Sequence, residues 1–259
     1  MPIIDKEVRD NIGIISMNNP QKRNALSPAL VDGVVEVLKE FQTRKIPVVI
    51  LRAAEGNPVW SAGHDVNELP RSQRDPLGYF DSLGTLLRAI QDYPGPVIAM
   101  VSGGAWGGAF NLVMVCDIVV ADESALFAIT PARLGLPFNA SGILQFMNGM
   151  GLNIAKEMFF TADPISAERA KSLGILNHLV PSERLLDFTM ELAGRIATRS
   201  ALAITIIKEQ FRILSEASPI APTAFERIQG LRRRVYDSCD YEEGVRAFLE
   251  KRHPVFTGE

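Results

Sequence analysis

The chain has 259 residues, 47% of them apolar and 22% charged, with a formal net charge of −3. That balance is the composition of a globular protein with a substantial core rather than a disordered chain, and a slightly acidic total gives no global attraction for nucleic acid. Cys116 and Cys239 are the two cysteines and form no C-x-x-C pair, which excludes a disulfide framework and argues against a structural zinc site.

The opening residues, Met1-Pro2-Ile3-Ile4-Asp5-Lys6, lack the apolar stretch and cleavage site of a secretory signal. No apolar run reaches the length that spans a bilayer, so a cytoplasmic location without a membrane partner is expected. Gly13–Met17 reads as a short strand, followed by a polar loop from Asn18 to Asn24. Ser27-Pro28 opens a helix, with serine as N-cap and proline in the first turn, where its missing N–H costs nothing. Leu30, Val31, Val34, Leu38 and Phe41 then recur at helical spacing, which buries one face. Pro47–Leu51 is a largely β-branched run of the kind covered on both faces. Leu83, Leu86, Leu87, Ile90 and Tyr93 mark a second helix, and Val97–Val101 and Asp117–Ala121 are two further buried strands. From Ser166 onward the chain turns helical, over Ser166–Leu173, Ser182–Thr198, Ala201–Ser215, Ala221–Ser238 and Asp240–Arg252. Strands alternating with helices predict an α/β core with parallel strands, and a helical carboxy-terminal part packed outside the sheet.

Two segments carry candidate chemistry. Val59–Val66 follows a buried strand after a polar loop, where functional loops of parallel sheets sit. Gly103–Asn111 runs out of the strand Val97–Val101 toward a helix expected to begin near Gly107. Glycines at a strand-to-helix junction let the backbone approach a ligand with its N–H groups unobstructed. The helix dipole adds about half a positive charge there. Such an end suits a developing oxyanion, and losing one donor typically costs about 3–4 kcal/mol of transition-state stabilisation. The same glycines also suit a plain tight turn. They are neither a dinucleotide fingerprint, which needs an acidic residue closing the next strand, nor a phosphate loop, which needs Gly-Lys-Ser/Thr.

Ser61-Ala62-Gly63-His64-Asp65 together with Gly103 to Asp117 resembles the two signatures of the crotonase (enoyl-CoA hydratase/isomerase) superfamily. Arg23–Ser27, Ala170–Asn177 and Phe248–Phe256 extend the resemblance over nearly the whole chain. The resemblance implies an α/β spiral of ββα units with a helical C-terminal trimerisation region. On that basis residues 1–198 form the spiral core with the coenzyme-A and acyl site, and 199–259 the oligomerisation region of a homotrimer or a dimer of trimers. It also implies an acyl-CoA partner, no cofactor beyond the CoA moiety, and an oxyanion hole. The donors carried over are the backbone N–H groups of His64 and Gly108, with the His64 imidazole secondary to its amide.

The superfamily's hydratases use two glutamates to activate water. The matching positions here are Asn111 and Ala132, which argues against hydration. Loss of CO2 from a malonyl-type thioester needs the oxyanion hole but no strong base. Trp106, Ile129, Leu136 and Phe138 are candidates for apolar walls that raise the energy of the departing carboxylate. Stretches such as Ser61–Pro70, Arg74–Leu77, Trp106–Phe110, Thr130-Pro131 and Phe225–Gly230 resemble the branch of the superfamily that converts methylmalonyl-CoA to propionyl-CoA and CO2. That branch has a tyrosine where this chain has Phe138, which can neither hydrogen-bond a carboxylate nor supply a proton. Either the hydroxyl is dispensable, or Thr130, Asn111 or a water takes its place, or the preferred malonyl group is bulkier or more apolar.

Asp65 either braces its loop or touches substrate, and Thr130 either orients the carboxylate or is a structural hydroxyl. Lys22 and Arg23 are candidates for phosphate pairing, while Ala25 and Ala62 match positions whose backbone lines adenine and pantetheine. Lys251 and Arg252 match a region that reaches a neighbouring subunit's CoA. Arg232-Arg233-Arg234 is read as a solvated or intersubunit face. An isomerase, dehalogenase or hydrolase on the same scaffold would need a carboxylate aimed at the acyl group, with Asp65 and Glu68 as candidates; a catalytically silent CoA-binding protein is the remaining alternative.

Overall fold

Both faces of the strand Ile12–Met17 are buried, and that sets the architecture. Successive side chains of a strand point to opposite sides. Ile15 and Met17 therefore enter one core while Ile12 and Ile14 enter another. In the computed structural model, which describes residues 2–66, 81–215 and 222–257, this strand (β2) pairs with β1 (Ile4–Arg9) on one side and β3 (Val48–Ala53) on the other. Beyond β3 come β5 (Val97–Val101), β7 (Ile118–Ala121) and β10 (His178–Leu179). From β2 to β10 all neighbours are parallel, and only β1 runs the other way.

A second sheet is built from four short strands, β4 (Val59–Ser61), β6 (Gly104–Trp106), β8 (Leu126–Ala128) and β9 (Ile165–Ser166), in that order. With helices α1 (Pro28–Thr43), α2 (Ser82–Asp92), α3 (Gly108–Val115) and α4 (Ala140–Met150), the chain repeats a simple path. Each of β3-β4-α2, β5-β6-α3 and β7-β8-α4 lays one strand in the large sheet, one in the small sheet, and then a helix. This is the expected spiral of ββα units. The glycine-rich stretch does not pass directly into a helix, however, because Gly104–Trp106 first forms β6.

Ser27 caps α1 as predicted, its side chain accepting from the Leu30 N–H. The expected apolar positions of α1 and α2 all face the first core. The carboxy-terminal helices divide. Leu185 and Ala193 of α7 (Leu185–Ala197) lie against Ile12, Ile14, Val48, Ile50 and Ile98, so α7 seals the second face of the large sheet. α5 (Leu152–Thr161) and α6 (Ala167–Ser172) complete the core side. α8 (Ala201–Ser215) leaves Leu202, Ile206, Phe211 and Leu214 exposed. After α9 (Pro222–Tyr236), α10 (Cys239–Leu249) packs against the turn Pro131–Leu134, where a side chain on Gly244 would strike the Leu134 carbonyl. No helix among the described residues is long and apolar enough to cross a membrane.

One lysine anchors α8. Lys208, with a side chain only 13% exposed, donates to the carbonyls of Ile90 and Gly95 at 3.1 Å each and to Asp117 Oδ2 at 2.8 Å. Charge-assisted hydrogen bonds of this kind are stronger than neutral ones, so Lys208→Met should lower the unfolding free energy by about 1–3 kcal/mol in urea titrations. An unchanged midpoint would mean that α8 is held by its apolar contacts alone.

Candidate functional site

The loop before α1 and the loop after β4 are tied together by hydrogen bonds before any ligand is considered. Arg23 and Asn24 both adopt left-handed backbone (φ 50° each), which turns the chain out of the loop before α1. Asn24 Nδ2 then donates to the Trp60 carbonyl at 3.1 Å, and Ser61 Oγ donates to the Asn24 carbonyl at 2.6 Å. The Ala62 N–H donates to the Arg23 carbonyl and the Leu26 N–H to the Gly63 carbonyl. Residues 23–26 are thus zipped along residues 60–64, ending in a parallel bridge between Leu26 and His64.

β4 pairs in parallel with β6, so the loops after the two strands emerge side by side. Gly63 has φ 82°, and a β-carbon there would overlap the Trp106 carbonyl oxygen and stand 3.2 Å from the Gly108 nitrogen. The His64 nitrogen is 3.6 Å from the place a β-carbon on Gly108 would occupy. The two predicted amide nitrogens therefore lie close to one another. Gly107 has φ 55°, and its N–H is taken by the Ala128 carbonyl at 2.9 Å. Gly108 is the first residue of α3, so its N–H lies ahead of the helical ladder, where the helix dipole favours negative charge.

These residues open onto a cavity of about 790 Å³. Lys22, Arg23, Ala25, Ala62, His64, Gly108, Asn111, Thr130 and Phe138, all expected at the site, line it. Trp106 and Leu136 line it as well, whereas Ile129, expected as an apolar wall, is fully buried in the core and does not. Ala132 is likewise absent from the lining, although its neighbours Pro131 and Arg133 are present. Lys251 is not brought to the cavity by its own chain; Phe248, one turn earlier on α10, is. Its neighbour Arg252 is engaged internally, donating to Glu243 at 2.6 and 2.9 Å. Those bonds, with further donors from Arg246 and the Val255 N–H, hold the Glu243 carboxyl far below the usual carboxylate range. Glu68 and the stretches Asn67–Pro70 and Arg74–Leu77 lie outside the described residues.

The polar groups have definite partners. Asp65, 5% exposed, pairs with Lys22 at 3.3 Å, which braces the loop after β4. Asn111 Nδ2 donates to Gln145 Oε1 of α4 at 2.6 Å. Thr130 Oγ1 lies 2.7 Å from where a β-carbon on Gly107 would stand, so its hydroxyl is beside the glycine corner. Phe138 belongs to an aromatic group, edge-on to Phe146 and Phe159 with ring centres 5.7 and 5.3 Å away. Such edge-to-face pairs add to simple burial.

Asp81 was not expected. It lines the cavity and caps α2, accepting from the Gly84 N–H at 2.8 Å. Burial pushes its carboxyl above the ordinary value, opposed by the Gly84 bond and by the neighbouring His64. A Ser, Asp or Asn immediately before an apolar helical pattern is an N-cap signal, and Asp81-Ser82-Leu83 carries it. That signal locates a helix end; it does not show that the end faces a cavity.

The enoyl-CoA hydratase/isomerase family profile matches residues 7–259. The chain is 47% identical over 249 residues to the methylmalonyl-CoA decarboxylase of Escherichia coli (strain K12), covering 96% of this chain and 95% of that protein. A solved structure of methylmalonyl-CoA decarboxylase complexed with 2S-carboxypropyl-CoA superposes with a TM-score of 0.98 at 45% identity, covering 100% of this chain and 99% of that one. Another, in complex with 2-nitronate-propionyl-CoA, gives a TM-score of 0.97 at 46% identity, covering 99% of both chains.

Because the Asp81 carboxyl holds its proton more tightly when folded, stability falls as pH rises from the ordinary carboxylate range through its raised value. Asn also caps helices well, so Asp81→Asn should be more stable than the parent at neutral pH, with the gain disappearing in acid. Urea titrations across pH would show this; a pH-independent difference would contradict it.

Proposed function

Because the chain belongs to the enoyl-CoA hydratase/isomerase family, we propose that its cavity decarboxylates a 2-alkylmalonyl-CoA, with methylmalonyl-CoA giving propionyl-CoA and CO2 through a thioester enolate. The observation that carries the reading is the closeness of the His64 and Gly108 amide nitrogens in the lining of a cavity whose acyl end is apolar and aromatic.

The thioester oxygen accepts from the two N–H groups. As the bond between the acyl α-carbon and the carboxylate breaks, its electron pair passes into the thioester and negative charge grows on that oxygen, where fixed donors stabilise it. The electron sink is part of the substrate, so the chemistry needs no cofactor beyond the CoA moiety. Trp106, Leu136 and Phe138 present apolar surface to the acyl end, where a charged carboxylate is costly and CO2 is not. The Thr130 hydroxyl orients the carboxylate toward that exit. Lys22 and Arg23 pair with the phosphates of CoA, and the backbone at Ala25 and Ala62 lines its adenine and pantetheine.

The exposed apolar side chains of α8 suit burial between subunits, and we assign residues 199–259 to a trimer interface, with Lys251 reaching a neighbour's CoA. The protein acts in the cytoplasm. A second reading comes from Asp81: a carboxylate with a raised proton affinity in the cavity is the group that an isomerase or hydrolase on this scaffold would use as a base.

Incubation with methylmalonyl-, ethylmalonyl-, malonyl- and crotonyl-CoA, followed by mass spectrometry, separates the two. CO2 loss from a malonyl thioester is the expected result, while turnover of crotonyl-CoA alone would favour Asp81 chemistry. Phe138→Tyr places a hydroxyl near the acyl end, and should shift preference from ethylmalonyl-CoA toward methylmalonyl-CoA. An unchanged ranking would remove Phe138 as a determinant of acyl size.

A further inference from the structure

Outside the cavity, one carboxylate fastens the segment that follows α10. Glu243 of α10 is not among the cavity-lining residues, and its side chain is only 11% exposed. Its oxygens accept from Arg246 at 3.2 and 2.5 Å, from Arg252 at 2.6 and 2.9 Å, and from the Val255 N–H at 3.0 Å. A lone surface ion pair contributes little, but a sheltered carboxylate with several charge-assisted bonds fixes its partners. Two of those partners lie beyond the helix. The chain leaves α10 through Lys251, whose backbone is left-handed (φ 55°). The Lys251 N–H donates to the Phe248 carbonyl at 3.2 Å and the Arg252 N–H to the Ala247 carbonyl at 3.0 Å. Glycine usually makes this helix end, and a lysine there is strained. The bonds from Arg252 and Val255 to Glu243 offset that strain. They fold residues 252–257 back toward the start of α10, where the Thr257 N–H donates to Asp240 Oδ1 at 2.7 Å.

The fastened segment presses on the turn that builds one side of the cavity. A β-carbon on Gly135 would stand 2.6 Å from the Asp240 carbonyl oxygen and 3.3 Å from Phe256 Cε1, and one on Gly244 would strike the Leu134 carbonyl. Residues 134 and 135 are thus enclosed by α10 and by Phe256, with no room for even a methyl group. Leu134 and Leu136, on either side of Gly135, line the cavity. So does Phe248, four residues beyond Gly244 on the same face of α10. Close-packed parts move together, so a shift of Phe256 is passed to these three side chains. We propose that Glu243 is a positioning residue for acyl-size selection: by fastening residues 252–257 it holds Phe256 on Gly135 and fixes the wall made by Leu134, Leu136 and Phe248. Without that fastening the turn recedes, and the cavity admits a longer 2-substituent. The inference rests on the reading of the cavity as a decarboxylase site for acyl-CoA, and the readouts below separate the two.

Propionyl-CoA and pentanoyl-CoA, the products expected from methylmalonyl- and propylmalonyl-CoA, are titrated calorimetrically into the parent protein and into Glu243→Ala, Phe256→Ala and Phe256→Tyr. CO2 release by the parent tests the decarboxylase reading alone. The ratio of the two Kd values tests the inference without any turnover. Partial unfolding would remove sites for both ligands equally and leave that ratio unchanged, so a purely structural role for Glu243 does not move it. Glu243→Ala and Phe256→Ala should each shift the ratio about tenfold toward pentanoyl-CoA, since one methylene in an apolar pocket is worth about that much. The double variant should go no further than either single one, because both act through the same contact. Phe256→Tyr keeps the ring and should give the parental ratio. A parent that binds both ligands yet releases no CO2 would remove the decarboxylase reading and leave the ratio as the test. The inference is overturned by a parental ratio in both alanine variants, by a Phe256→Tyr variant shifted as far as Phe256→Ala, or by a parent that binds neither ligand. Equal weakening of both ligands would also overturn it, because the wall would then bear on the CoA moiety rather than on the acyl group.

Discussion

Where Gly63 passes Trp106, two backbones run closer than any side chain permits: a β-carbon on Gly63 would overlap the Trp106 carbonyl oxygen and press on the Gly108 nitrogen. Left-handed backbone at Gly63 (φ 82°) is what turns the following His64 amide toward the same space. The contact depends in turn on the small sheet, since parallel pairing of β4 with β6 delivers the two loops side by side. It depends also on residues 23–26, whose hydrogen bonds to residues 60–64 fix the loop after β4 from its other side. The large sheet and its two cores supply the rigidity behind these loops, and the strands that end nearest the site, β4 and β6, are only three residues long.

Chemistry at the acyl end follows from what surrounds that pair of amides. Phe138 lines the cavity and is backed edge-on by Phe146 and Phe159, while Thr130 and Asn111, the latter held by Gln145, also line it. Neutral amides do not abstract protons, and an aromatic wall makes a bound carboxylate costly. Both conditions favour expulsion of CO2 over addition of water. Among the described residues two carboxylates line the cavity; Asp65 is paired with Lys22, whereas burial raises the proton affinity of Asp81, which caps α2.

The parts legible in the sequence were those with a long enough period. Five-residue apolar runs marked β3, β5 and β7, and helical spacing marked α1 and α2, because burial of a full face leaves a repeating pattern. The three-residue strands β4, β6 and β8 are too short to show alternation, so the small sheet came only from family resemblance. α7 was recognised as a helix, but its partners were not, since periodicity reveals a buried face without revealing what buries it. The site shows the same limit. His64, Gly108, Thr130 and Phe138 stand in recognisable motifs. Gln145 meets Asn111 across 34 residues and Asp81 reaches the cavity from the start of α2, and neither contact leaves a local signature. Ile129 adjoins Thr130 yet faces the core together with Phe127 two residues before it, the side of β8 that packs inward.

The amide of Gly108 can be removed with little else. Gly108 is the first residue of α3, where proline is sterically tolerated, and the nearest obstacle to a β-carbon is the end of the Leu83 side chain at 2.8 Å. Gly108→Ala adds the same β-carbon and keeps the N–H, so the ratio of kcat values between Gly108→Ala and Gly108→Pro isolates the hydrogen bond to the enolate oxygen. The account predicts that the proline variant decarboxylates methylmalonyl-CoA about 10²–10³-fold more slowly than the alanine variant. Equal rates in two folded variants would contradict an oxyanion hole at His64 and Gly108.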